Sequence, residues 1–117
     1  MKHLLQGLLS IIFAGQFLGS SGCGVDTETL IAKSITLAGS PTHGAMLFIQ
    51  NCAICHGEDG LKDDDVQLPT RVPTLTKEDI TTVVYKGREA MTAVARAVGM
   101  SEQDVADVVA YVQEKFK

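Results

Sequence analysis

The chain has 117 residues, 14 Asp and Glu against 10 Lys and Arg, and a formal charge of −4. A length of this kind suits one small domain. An acidic surface repels phosphate, which excludes nucleic acid as a partner, and it leaves room for a basic protein surface.

Residues 1–22 have the layout of a secretory signal: Lys2 near the start, an apolar run from Leu4 to Leu18, then small residues. The competing reading is a membrane span. The run is shorter than the ~20 residues a span needs, and Gln6 and Gln16 interrupt it. Loss of Lys2 with the signal makes the mature chain one unit more acidic. Cys23 follows Ser20-Ser21-Gly22, a stretch that resembles a bacterial lipobox. Ser21 and Gly22 fit that pattern, whereas Ser20 stands where an aliphatic residue is usual. The expectation is an exported, periplasmic protein tethered to the membrane through lipid on Cys23. Several acyl chains on one cysteine anchor stably, at roughly 0.8 kcal/mol per buried CH₂. The alternative is plain cleavage that leaves a spare thiol.

Residues 23–39 show no clean hydrophobic period and read as a linker or N-terminal extension, in which Leu30, Ile31, Ile35 and Leu37 could pack on the domain or form a short element. The domain proper is expected over 40–117. Its first helix starts at the cap Ser40 with Pro41 at the first helical position. Ala45, Phe48, Ile49 and Cys52 share one face of that helix. Residues 57–75 are rich in Gly, Asp and Pro and read as loop, with Asp63-Asp64-Asp65 as a solvated acidic run. A second helix starts at Thr76, with Asp79 completing a capping box, and stops at Gly87. A third starts at Ser101 and carries the stripe Val105, Val108, Val109, Val112 and Phe116. Valine is a modest helix former, but cap and period both favour helix over strand. The result is an all-α domain of three main helices and long loops. It has no Trp and few aromatics, so a fold of this size calls for a large apolar staple.

Cys52, Cys55 and His56 stand in the pattern C-x-x-C-H. A redox dithiol also uses C-x-x-C, but expects a strand–helix setting that is not visible here. A structural zinc site needs four ligands, and Cys23 and His43 are poorly placed to complete one. The third chemistry is covalent haem, for which C-x-x-C-H is the attachment pattern. Two cysteines about a helical turn apart reach neighbouring vinyl groups, and the next histidine faces the iron. Export agrees with this, and the porphyrin supplies the missing apolar bulk.

Residues 40–117 as a whole resemble a small class I cytochrome c. The matching features run in order: Gly44 and Phe48 on the first helix, Cys52-Ala-Ile-Cys55-His56, Pro73-Thr-Leu75, a helix ending at Gly87, Met91, and a last helix containing "VVAYV". The resemblance implies a class I cytochrome c fold around one covalent haem c. It also implies a crossing of the first and last helices, where Gly44 permits close approach beside Phe48, Val108 and Tyr111. In such a protein the carbonyl of Pro73 accepts the Nδ1–H of His56, Leu75 packs on the haem, and Met91 is the sixth iron ligand. Thr92 follows Met91 where the family usually has Pro, which loosens the ligand loop.

Other candidates for the distal position are Met46, Met100 and His43. Met46 and His43 lie on the helix that leads into the attachment site. Met100 immediately precedes the cap Ser101, where an apolar side chain packs on Val105. His/Met ligation raises the reduction potential and leaves no open site for a substrate. The expected function is therefore single-electron transfer to redox protein partners with a basic docking surface. Two alternatives are an electron-transfer subunit docked to a membrane complex and a haem sensor or enzyme with a labile distal ligand. Arg71 and Lys62 are candidate partners for the haem propionates.

Overall fold

The computed structural model describes residues 24–117; the signal and Cys23 lie outside the described residues. Every named element is helical: α1 (Thr27–Thr36), α2 (Pro41–Asn51), α3 (Ala53–His56), α4 (Leu68–Arg71), a 3-10 turn (Val72–Thr74), α5 (Lys77–Lys86), α6 (Val94–Val98) and α7 (Glu102–Lys115). Among the described residues the single β-type pairing is an isolated bridge between Arg88 and Met91.

The three expected helices are α2, α5 and α7, and each starts at its expected cap. The Ser40 side chain accepts from His43 N–H. Thr76 with Asp79, and Ser101 with Asp104, form reciprocal capping boxes, which satisfy orphan donors of the first turn. α2 and α7 make the most extensive contact in the domain. Two glycines permit it. A Cβ on Gly44 would collide with the backbone carbonyl of Asp107, and one on Gly39 with that of Ala106. Beside this contact Phe48 is buried, its ring centroid 5.4 Å from that of Tyr111 and 5.7 Å from that of Phe116. Val105, Val108 and Val109 fill the other side of the core.

Within 23–39, read as a linker or N-terminal extension, the described residues form the packed helix α1, so the apolar residues do pack on the domain. Asp26 caps it by accepting from Thr29 N–H at 3.0 Å. Leu30, Ile31, Ser34 and Ile35 form its inner face against α5 and α7. The period is obscured in the sequence because a serine occupies a core position. Ser34 is fully buried, and its hydroxyl pairs with that of Tyr85 at 2.9 Å. The last carbonyls of α1 are held by Lys77, whose Nζ donates to Ile35 O at 2.8 Å and Leu37 O at 3.1 Å; a cation there also suits the helix dipole. Ion pairs join Lys33 to Glu102 and Lys86 to Glu28.

The loop expected over 57–75 also contains structure. α4 and the 3-10 turn follow each other directly and place Val72 in the core. α6 lies in the connection between α5 and α7 and buries Ala95.

Candidate functional site

α2 ends at Cys52, whose N–H still bonds to Phe48 O at 2.8 Å. The chain continues as the single turn α3, with His56 N–H donating to Cys52 O at 2.9 Å and Cys55 N–H to the same oxygen at 3.2 Å. Cys52 and His56 are thus one helical turn apart on one face. Gly57 closes the turn with a bond from its N–H to Ala53 O at 2.7 Å. Lys62 braces it from outside, donating to Ile54 O at 2.7 Å.

Cys52 is half-buried and Cys55 exposed, and no disulfide joins them. Burial, with a smaller contribution from Cys55, pushes the Cys52 thiol up to about 11. Among the described residues the only His, Cys, Asp or Glu cluster with three converging ligand atoms is His43, Asp104 and Asp107, which includes none of Cys52, Cys55 and His56. Within the described residues, the zinc reading therefore finds no completing ligand beside this turn.

Burial lowers the His56 pKa against a weaker opposing pull from Asp63, so the imidazole is neutral at pH 7 and carries a free lone pair. Its Nδ1 is the only described side-chain nitrogen or oxygen that is buried without a hydrogen-bond partner. Such a group costs about 1–3 kcal/mol, which the fold alone does not explain. A neutral imidazole beside two unpaired thiols fits the donor set of a covalent haem. The flanking side chains fit too: Ile49, Ile54 and Leu61 are large, apolar and exposed, Ile54 at 73%.

The other expected residues fall on other segments of the chain. Leu75 packs against the core, and Pro73 sits in the 3-10 turn just before it. The bond from His56 Nδ1 to the Pro73 carbonyl is not formed here, since Nδ1 has no partner. Met91 closes a hairpin with Arg88 and is half-buried. Met100 packs against the core cluster, in line with its place ahead of the α7 cap. The His43 Nδ1 is paired with Asp107 Oδ2 at 2.7 Å, and Met46 stands exposed on α2. Lys62 is spent on the Ile54 carbonyl, and Arg71 lines a concavity with Asp64, Asp65 and Gln67. Sequence reasoning missed the partners of His43 and Lys62, because both bonds cross between segments that only the fold brings together.

An all-helical domain in which α2 packs closely on the last helix α7, with C-x-x-C-H on the turn that follows α2, is a small class I c-type cytochrome. A family profile described as cytochrome C oxidase, cbb3-type, subunit III matches residues 39–112, and the chain belongs to that family. Helix α1 lies ahead of the matched region. Compared with curated proteins and with solved structures, the chain matches none. Haem-based electron transfer between redox proteins is the activity of such a domain. No helix among the described residues is long and apolar enough to cross a membrane.

Proposed function

We propose that the protein carries single electrons, with Cys52 and Cys55 tethering one haem c and His56 and Met91 as its axial ligands. When bound, haem c supplies reversible one-electron chemistry at iron. The chain's part is to hold and tune. Cys52 and Cys55 fix the cofactor to α2 and α3, His56 offers a neutral nitrogen, and Leu75 adds apolar wall. The observation that carries the choice of Met91 is its freedom from other duties. His43 is paired with Asp107, Met100 packs on the core, and Met46 stands exposed on α2, the helix that leads into the turn bearing His56. Pro73 is a second candidate contact, with its carbonyl as partner for His56 Nδ1. Both iron positions filled by protein leave no place for a substrate, so the reading is a carrier and not an enzyme.

Replacing Met91 with Ala is expected to abolish the sulfur-to-ferric-iron absorption band and open the iron to added ligands. Survival of the band in that variant, with its loss in Met100→Ala, overturns the assignment.

Glu58, Asp59, Asp63, Asp64 and Asp65 follow the motif closely, which supports a basic docking surface on the partner. The family description names an oxidase subunit, and this favours a second reading in which the domain stays docked to one membrane complex. Only Gly24 and Val25 separate Cys23 from the Asp26 cap of the packed α1. Lipid on Cys23 would therefore hold the exported, periplasmic domain close to the bilayer. The mass of the mature chain tests the haem count and the lipid together: one haem adduct and acyl chains on Cys23 are expected, and a bare Cys23 removes the tether.

A further inference from the structure

The segment that bears Met91 is built under backbone strain. Met91 N–H donates to Arg88 O at 2.8 Å, and Arg88 N–H to Met91 O at 3.2 Å. Glu89 and Ala90 are the two corners of this turn. Glu89 has φ +54°, the only positive φ at a non-glycine residue among those described. A positive φ at the first corner of a two-residue hairpin is a position that prefers glycine. An L-residue with a Cβ is disfavoured in that region because the Cβ crowds the following carbonyl.

The turn cannot relax by shifting its ends. Before it, α5 is anchored by buried Val84 and Tyr85. After it, α6 is anchored by buried Ala95. Between them the chain folds back over Gly87, where a Cβ would collide with the Met91 carbonyl and lie 3.0 Å from Ala93 N. With both flanks fixed and two residues to reverse direction, Glu89 is forced into the left-handed region.

We propose that Glu89 is a positioning residue for Met91. Its strained backbone keeps the Met91 turn close in energy to open conformations that withdraw the sulfur, so Met91 is a displaceable ligand. This rests on the reading of Met91 as the distal ligand. Opening the turn relieves the strain at Glu89, and Thr92 in place of a rigid residue does not oppose it.

The test uses the haem-loaded ferric protein and imidazole as a competing ligand, with the sulfur-to-iron band as the readout of Met91. Glu89→Gly removes the Cβ and is expected to weaken imidazole binding by about tenfold, the equivalent of one residue's left-handed cost. Glu89→Asn, which tolerates this region better than most residues, is expected to fall between Gly and the native chain. Glu89→Ala keeps the Cβ and removes the charge, and is expected to bind imidazole as the native chain does. Gly87→Ala is expected to lose the band. Equal affinities across Gly, Asn and Ala overturn the proposal. So does an Ala variant that matches Gly, since the side chain and not the backbone would then be responsible. A band that persists in Met91→Ala refutes the ligand reading instead, whatever the Glu89 series does.

Discussion

Replacing Tyr85 with Phe leaves the Ser34 hydroxyl without its partner in the core. Ser34 is 0% and Tyr85 2% exposed, so water cannot replace the lost bond. A hydrogen bond contributes about 1 kcal/mol net, and a buried polar group left unpaired costs about 1–3 kcal/mol. The two partners are not equivalent. A serine within a helix can turn its hydroxyl to a carbonyl one turn back, whereas the tyrosine hydroxyl has no such fallback. Tyr85→Phe should therefore cost about 1 kcal/mol and Ser34→Ala about 2 kcal/mol. The double variant leaves neither group orphaned, so its loss should fall about 1 kcal/mol or more short of the summed single losses. In a domain of this size 2 kcal/mol lowers the Tm by roughly 10 °C. The assay is urea unfolding of the haem-loaded protein followed by helical circular dichroism, with a constant slope expected across the set. Additive losses in the double variant would refute the reasoning, because they would mean that the two hydroxyls do not act as one buried pair. The result also decides whether α1 belongs to the folding unit, since this bond joins α1 to α5, the helix that leads to the Met91 turn.

Gly44→Ala places a Cβ against the Asp107 carbonyl. The ~1 kcal/mol gain in helix propensity is outweighed by overpacking of roughly 1–3 kcal/mol and by parting of the Phe48 contacts, so the urea midpoint should fall; a higher midpoint would show that the crossing has slack. At Asp107, burial pushes the carboxyl up, but hydrogen bonds from Ser40 N–H, Gln103 and His43 more than offset this and hold it below its ordinary value of 3.8. A depressed carboxyl adds stability that is present above the ordinary value and lost as pH falls through the folded one. Asp107→Asn should cost about 1–2 kcal/mol at pH 7 and should flatten the acid side of the stability profile, measured by urea unfolding at several pH values. An unchanged acid limb in the variant would exclude Asp107 as its source.

The cofactor chemistry and the main helices were legible in the sequence because their causes are local. C-x-x-C-H places three reactive groups by spacing along one turn, and the caps at Ser40, Thr76 and Ser101 each act within three residues. The stripe of valines on α7 marks its buried face in the same way. Helix α1 was only partly legible: Leu30, Ile31 and Ile35 stood out as residues that could pack, but the helical period was broken by Ser34, and a buried serine is acceptable only once Tyr85 arrives from 51 residues away. The duties of His43 and Lys62 were hidden for the same reason: Asp107 and the Ile54 carbonyl become their partners only when the segments meet. Met91 could be singled out by its position between helices. The strain beneath it could not, since Glu89 is an ordinary residue in an ordinary sequence until α5 and α6, fixed in the core, leave it two residues in which to turn. Local spacing determined the cofactor chemistry; the packing of distant faces decided which side chains are buried, paired or held in a strained turn.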